Sequence, residues 1–317
     1  EMPQSADLVM FWWEKAALAA RGWNAKTSKG TRRFGLITTN SLRQTFNRRV
    51  LEPHLNDTKK PLSLLFAIPD HPWVDSGKGD ADVRIGMTVG AAGNRAGRLL
   101  ILATESKEKN EADGRVVTFS HQVGKVFANL QIGADVAGAK PIAANDALAS
   151  RGVALHGLGF LVSRDEAALL GLNQIKGMDR HILEYFNGRD VMATPRNLMV
   201  IDLYPLSQED VKSNFPSVYQ HVFDNVKPER DQNREDFRRI NWHWFGRTNE
   251  TYRKAVSGLP RFIGTVETAK HRVFRFFDAR TRADNKLVAI GLADAEWLSV
   301  LSSKMHTKWA LRSGSWL

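Results

Sequence analysis

An α/β sheet followed by an α+β region is the fold class this sequence predicts, and three observations carry it. The stretch 34-FGLITTNSLR-43 reads as a buried strand that runs through Thr-Thr-Asn straight into a helix. Asn40 suits a helix cap, and Leu42, Phe46 and Val50 recur every four residues on one face. A short apolar strand feeding a helix belongs to a parallel sheet covered by helices. Beyond residue 160 the pattern changes to short strands, short capped helices and long polar connections. A length of 317 residues, at 43% hydrophobic and 25% charged content, suits two globular domains.

Taken in order, residues 7–22 predict a helix ended by Gly22. Its Phe11-Trp12-Trp13 run puts large apolar groups on more than one face, so packing is expected on both sides. Strand 34–38 and helix 41–52 follow. Strands at 62–68 and 82–89 flank the Pro/Gly/Asp-rich 69-PDHPWVDSGKGD-80, which suggests a long hairpin at one edge of the sheet. Strands are also expected at 98–104 and 115–119. The domains are expected to divide as 1–125 and 126–317. In the second, Ser163-x-x-Glu166 is a capping box that opens a helix to Leu170. Residues 197–203 form an apolar strand, and Ser207 opens a helix broken at Pro216. Strands at 261–265, 272–277 and 286–292 precede a helix over 294–303. Met305 and Trp309 read as core.

The net charge is +11 and unevenly spread. Between Lys227 and Arg282 fourteen Lys/Arg stand against seven Asp/Glu, among nine Phe, Tyr or Trp. Basic residues interleaved with aromatics suit a polyanion with stackable bases, and equally a solvated basic face over an aromatic core. No run approaches the roughly 18 apolar residues of a membrane span, so no membrane partner is expected. The polar start EMPQSADL has no leader character. Cysteine is absent, which excludes disulfides and thiolate metal sites and fits a cytoplasmic location.

No Asn-Pro dipeptide, glycine-rich nucleotide loop, nucleophile elbow or metal-ligand spacing occurs. Asp57-Thr-Lys59 and Asp284-Asn-Lys286 match the acidic-x-Lys pair of metal-dependent nucleases, but chance supplies one or two such pairs in a chain this charged. The residues alone define no self-contained catalytic motif.

Longer strings are more specific. The stretches 5-SADLVMFWWEKA-16, 34-FGLITTNSLRQTFNRRVLE-52, 68-IPDHPWVDSGKGDADVRIGMTVG-90, 155-LHGLGFLVS-163, 199-MVIDLYPLS-207 and 259-LPRFIGTVETAKHRVF-274 resemble, in order, the MmeI-like family of DNA adenine-N6 methyltransferases. The resemblance covers nearly the whole chain. It implies the C-terminal part of a Rossmann-like methyltransferase sheet, followed by an α+β DNA target-recognition domain. In the family, the S-adenosylmethionine loop and the Asn-Pro-Pro-Tyr motif precede the 7–22 helix. The chain is therefore expected to be a fragment with no catalytic residue of its own and without the main S-adenosylmethionine-binding motif, inactive unless joined by the rest of the methyltransferase chain. Double-stranded DNA is the expected partner. Two alternatives stay open: a non-catalytic DNA-binding specificity subunit, or part of a fused restriction–modification enzyme.

Such enzymes flip adenine out of the duplex into a pocket. By the resemblance, the loop 69-PDHPWVDSG-77 closes one face of the base, with Trp73 positioned to stack or else capping the sheet. Thr39 and Asn40, at the carboxyl end of their strand, would line the same crevice. In the recognition domain, Arg230, Arg234, Arg238 and Arg239 have a spacing that puts several on one helical face. They are candidates for phosphate contact or for pairing with Glu235 and Asp236. Lys270 and Arg272, two apart on an expected strand, point the same way and suit guanine O6/N7. Asn187 and Arg189, on the turn of 187-NGRD-190, are further DNA-binding candidates.

Overall fold

The computed structural model describes residues 6–73, 83–106, 116–136, 139–140, 142–269 and 271–313. They fall into two compact units, one running to Lys140 and taking in residues from Lys308 onward, the other from Pro141 to Thr307. The expected boundary at 125/126 lies inside the first unit, because Val126, Ala128 and Leu130 are buried in that unit's core.

The first unit begins with α1 (Val9–Arg21), then β1 (Phe34–Thr39), a 3-10 turn (Asn40–Arg43), α2 (Thr45–Leu55), β2 (Leu62–Pro72), β3 (Arg84–Ala92), β4 (Gly97–Glu105) and β5 (Val117–Gly124). The strands form one sheet in the order β1-β3-β2-β4-β5, mixed in direction, with only β2 and β4 parallel. The β2–β3 hairpin therefore lies inside the sheet rather than at its edge. Near-continuous burial along β2 fits a strand covered on both faces. Phe34 pairs with Gly90, where a Cβ would lie 2.4 Å from the Phe34 ring, so glycine there admits the ring.

Met10, Trp13, Ala17 and Ala20 recur at three- and four-residue steps and bury one face of α1 on this sheet. The indole of Trp13 donates to Thr88 Oγ1 at 3.3 Å. Packing on both faces is not what the unit shows, since Trp12 is 62% and Leu8 79% exposed. The expected helix at 41–52 is split: the 3-10 turn comes first, and α2 starts only at Thr45. Phe46, expected on the buried stripe, turns outward, while Leu42 and Val50 are buried.

The second unit contains β6 (Ala149–Arg151), β7 (Leu161–Val162), α3 (Arg164–Leu169), β8 (Ile182–Phe186), α4 (Gly188–Met192), β9 (Met199–Ile201), α5 (Gln208–Asn214), α6 (Pro216–Asn225), α7 (Lys227–Asp231), α8 (Asp236–Ile240), α9 (Glu250–Val256), β10 (Arg261–Val266), β11 (Phe274–Asp278), β12 (Arg282–Ala283), β13 (Leu287–Ile290) and α10 (Ala295–Ser302). A last helix, α11 (Lys304–Ser313), ends in the first unit. Two four-stranded sheets result, β11-β10-β13-β6 and β12-β8-β9-β7. Phe160, Phe245, Tyr252, Phe262 and Phe277 belong to one core with them. The expected local signals are present: Ser163 and Glu166 form a reciprocal capping box, Ser207 caps α5, and Pro216 opens α6. Met305 is 83% and Trp309 49% exposed, so neither is core.

Candidate nucleic-acid interface

In the first unit, β1 ends at Thr39 and β2 carries a bulge between Ile68 and His71 that re-aims Asp70. Asp70 Oδ1 accepts from Asn40 Nδ2 at 3.2 Å and from Arg84 Nε at 2.6 Å. Arg84 also donates to Glu105 Oε2 at 2.9 Å. Burial opposes ionisation of Asp70, but the hydrogen bonds from Arg84 and Asn40 and the charges of Arg84 and Arg43 outweigh it, so its carboxyl sits below the ordinary range. Asn40 is thus not a helix cap; its amide is spent on Asp70. Thr39 is exposed and shares a 2.6 Å hydrogen bond with Ser41. Trp73 is 48% exposed, its backbone N–H bonded to Val83 O, and its ring meets no other aromatic among the described residues. The rest of its loop, from residue 74, lies outside the described residues.

The basic segment of the second unit is reorganised relative to the sequence expectation. Arg230 to Arg239 do not share a helix, because α7 ends at Asp231 and α8 begins at Asp236. Arg230 is only 2% exposed; its guanidinium donates to Leu155 O at 2.7 Å and lies over the Phe160 ring. It is therefore a core strut and not a phosphate contact. Arg238 pairs with Glu235 at 3.1 Å, and Arg239 pairs with Asp236 and donates to Asn233 O. These are the local pairs that compete with phosphate. Arg234 is exposed and makes no ion pair among the described residues.

Lys270 lies outside the described residues. Arg272 is not on a strand: β11 begins at Phe274, and the Arg272 guanidinium folds back to Val266 O at 2.8 Å. Asn187 caps α4, accepting from the N–H groups of Arg189 and Asp190 at 2.9 and 3.1 Å, which leaves Arg189 exposed at the first turn. The two acidic-x-Lys pairs are structural. Asp57 accepts from the backbone of Lys59 and Lys60, and Asp284 from Lys286 N and the Tyr185 hydroxyl. No cluster of three or more metal-ligating residues occurs among the described residues.

A groove of about 320 Å³ brings together groups that the sequence alone did not join. Its lining includes His156, Tyr185, Asn187, Arg196, Asp284 and Asn285. Tyr185 donates to Asp284 Oδ2 at 2.8 Å; burial first, and then the Asp284 charge, raises its pKa. Arg196 grips the buried Asp190 through two bonds of 2.8 and 2.7 Å. His156, in left-handed backbone at φ 50°, stands at this groove, with Gly246 leaving room for its ring. Burial and then the charges of Arg238, Arg230 and Arg247 hold its pKa below the ordinary histidine value. A groove lined by directional donors and acceptors, set in a positive field, has the chemistry to read base edges and hold phosphate. The signal that could have located it is the positive-φ pair His156-Gly157.

No family model and no curated protein matches the chain. Among solved structures, it is similar to that of the Type IIL restriction-modification enzyme MmeI in complex with DNA, at a TM-score of 0.68 and 17% sequence identity. The likeness covers 98% of this chain and 39% of that one, so the chain spans well under half the length of the enzyme it matches. At this identity the shared property is the fold, a mixed α/β and α+β arrangement maintained over almost every residue.

Proposed function

We propose that this chain is the DNA target-recognition part, joined to the last strands of the methyltransferase sheet, of an MmeI-like DNA adenine-N6 methyltransferase of a restriction–modification system. The observation that carries this reading is the backbone likeness, over nearly the whole chain, to a restriction-modification enzyme solved on DNA. Two features support it. The chain carries a net charge of +11, concentrated where Arg234 and Arg247 remain free of ion pairs among the described residues. The first unit exposes Leu8, Trp12, Ile37 and Phe46, as a sheet portion covered by further chain would.

In this reading the second unit holds the duplex through phosphates and reads bases from the His156–Asn187 groove. The ends of β1 and β2, with Thr39, Asn40 and the exposed Trp73, form one wall for a flipped adenine. S-adenosylmethionine supplies the methyl group in the intact enzyme. The described residues do not fit a holder for it, since the ends of β1 and β2 present a closed Asn40–Asp70–Arg84 network and no glycine-rich turn.

The test is fluorescence anisotropy of the full chain with a duplex carrying a randomised core, titrated between low and high salt. Affinity is expected to fall linearly with log salt, with a slope of about −0.9 per neutralised phosphate. Absence of binding at low salt, or binding indifferent to salt, would overturn the reading. Radiolabelled methyl transfer to DNA by this chain unaided is expected to be nil.

A further inference from the structure

The first unit contains a cavity of about 270 Å³ walled by β2, β4 and the turn Phe127–Gln131. The turn is closed by backbone bonds, Phe127 N to Gln131 O and Leu130 N to Phe127 O, both 2.9 Å. Leu130 occupies left-handed backbone at φ 53°, a conformation rare for leucine, with its side chain fully buried in the unit's core. The residues on either side face a different environment. Asn129 is 4% exposed, and neither its Oδ1 nor its Nδ2 has a hydrogen-bond partner. Gln131 Oε1 and Arg43 Nε are likewise buried without partners, and all three residues line the same cavity.

Native folds leave few buried polar atoms unpaired, so four orphans around one cavity point to a ligand. Their chemistry restricts it. Two carbonyl oxygens, from Asn129 and Gln131, need donors; an amide N–H and the Arg43 Nε–H need acceptors. A simple anion would leave the oxygens unpaired and would face Asp70 on the same wall. A simple ammonium would leave both N–H groups unpaired. A planar group with an exocyclic amine beside a ring nitrogen answers both, which is the pattern that asparagine reads on adenine. Turning the Asn129 amide over still presents one donor and one acceptor. The remaining wall, with Leu99, Leu102 and Ile132, suits a flat ring. The volume lies just below the roughly 300–1,000 Å³ of ordinary small-molecule pockets, so it suits a base without its sugar and phosphate.

We propose that this cavity is a nucleobase site that takes an aminated base, adenine in the first instance, on the Asn129 amide. The inference concerns the first unit and does not rest on the DNA reading of the second. It is tested by calorimetric titration of the full chain with adenine and with N6,N6-dimethyladenine, which cannot donate from N6, alongside Asn129→Leu. Adenine should bind saturably, with dimethyladenine at least tenfold weaker. Asn129→Leu should bind adenine at least tenfold more weakly while melting no lower than wild type, because it removes an orphaned amide. Competition by a duplex carrying an unpaired adenine would place the base on a DNA strand. Binding without such competition would identify a free base or nucleoside. The proposal is overturned if adenine does not bind saturably, if the two bases bind alike, or if Asn129→Leu binds as wild type or loses stability as a structural amide would. DNA affinity measured on the same samples separates this failure from failure of the proposed function.

Discussion

The two units treat their difficult groups in opposite ways. The second satisfies its buried charges internally: Asp202, 2% exposed, receives two bonds from Arg253 at 2.8 and 2.9 Å and one from Arg282 at 2.6 Å. Asp190 is held by Arg196, and Arg230 by Leu155 O. The first leaves Asn129, Gln131 and Arg43 with orphaned polar atoms and turns Trp12, Leu8 and Phe46 to its surface. The contrast teaches that one unit's residues complete their own interactions, whereas the other's are arranged for something additional. Substitutions should therefore fail by different routes in the two.

The largest effect is expected at Asp202. Burial raises the pKa of a carboxyl, but the bonds and charges of Arg253 and Arg282 more than offset this and hold Asp202 below the ordinary range. Asp202→Ala leaves two guanidinium groups facing an empty site, and breaking a buried pair in this way costs about 3–5 kcal/mol. The urea unfolding midpoint of the second unit should fall accordingly. A near-neutral result would show that its charges are not closed on one another.

The adjacent tryptophans of α1 sharpen the contrast from the other side. Trp13 is fully buried and hydrogen-bonded, so Trp13→Ala should cost about 3–5 kcal/mol. Trp12→Ala should stay within about 0.5 kcal/mol, as surface changes do, while reducing self-association of the chain in sedimentation. Equal costs at the two positions would mean that the Trp12 face is already covered by this chain.

A smaller effect separates free from committed arginines. Arg234→Ala and Arg247→Ala should each weaken DNA binding across sequences and reduce the salt slope by about 0.9. Arg230→Met should destabilise the unit and leave the slope unchanged, because that side chain is committed to Leu155 and Phe160. Anisotropy titrations at several salt concentrations measure both.

These residues also mark how much was legible in the sequence. Local signals transferred well: the Ser163 and Ser207 caps, Pro216 and the 261–266 strand depend on neighbours a few residues away. What failed depends on partners distant in sequence. Arg230 reads as a free cation until Leu155 and Phe160 are brought beside it, and Asn40 reads as a cap until a bulge in β2 delivers Asp70. The β2–β3 hairpin was recognisable from its strands, but its insertion next to β1 is a pairing choice that no local pattern encodes. The nucleic-acid groove was only partly visible, through Asn187. His156 and Tyr185 carry no motif and meet Asp284 and Arg196 only after folding.

The smallest effect is a pH dependence of DNA binding centred on His156. Its ring is faced by Arg230 from α7, by Arg238 and Glu235 from α8, and by Arg247 from the segment before α9. Burial, followed by the three arginines, lowers its pKa, while Glu235 opposes them weakly. A DNA phosphate seated among those arginines would offset their charge and raise the His156 pKa in the complex. Binding would then take up a proton. Affinity should be flat above the bound-state pKa and rise as pH falls from there toward the depressed free-state value, by at most tenfold per pH unit for one proton. Stability of the free protein should move the other way: a depressed histidine contributes above its ordinary pKa, near 6.5, and that contribution is lost as pH falls through the folded value. His156→Gln should remove the pH slope of binding and leave the salt slope intact. A pH slope that survives this substitution would assign the proton to another group and take the phosphate away from this end of the groove.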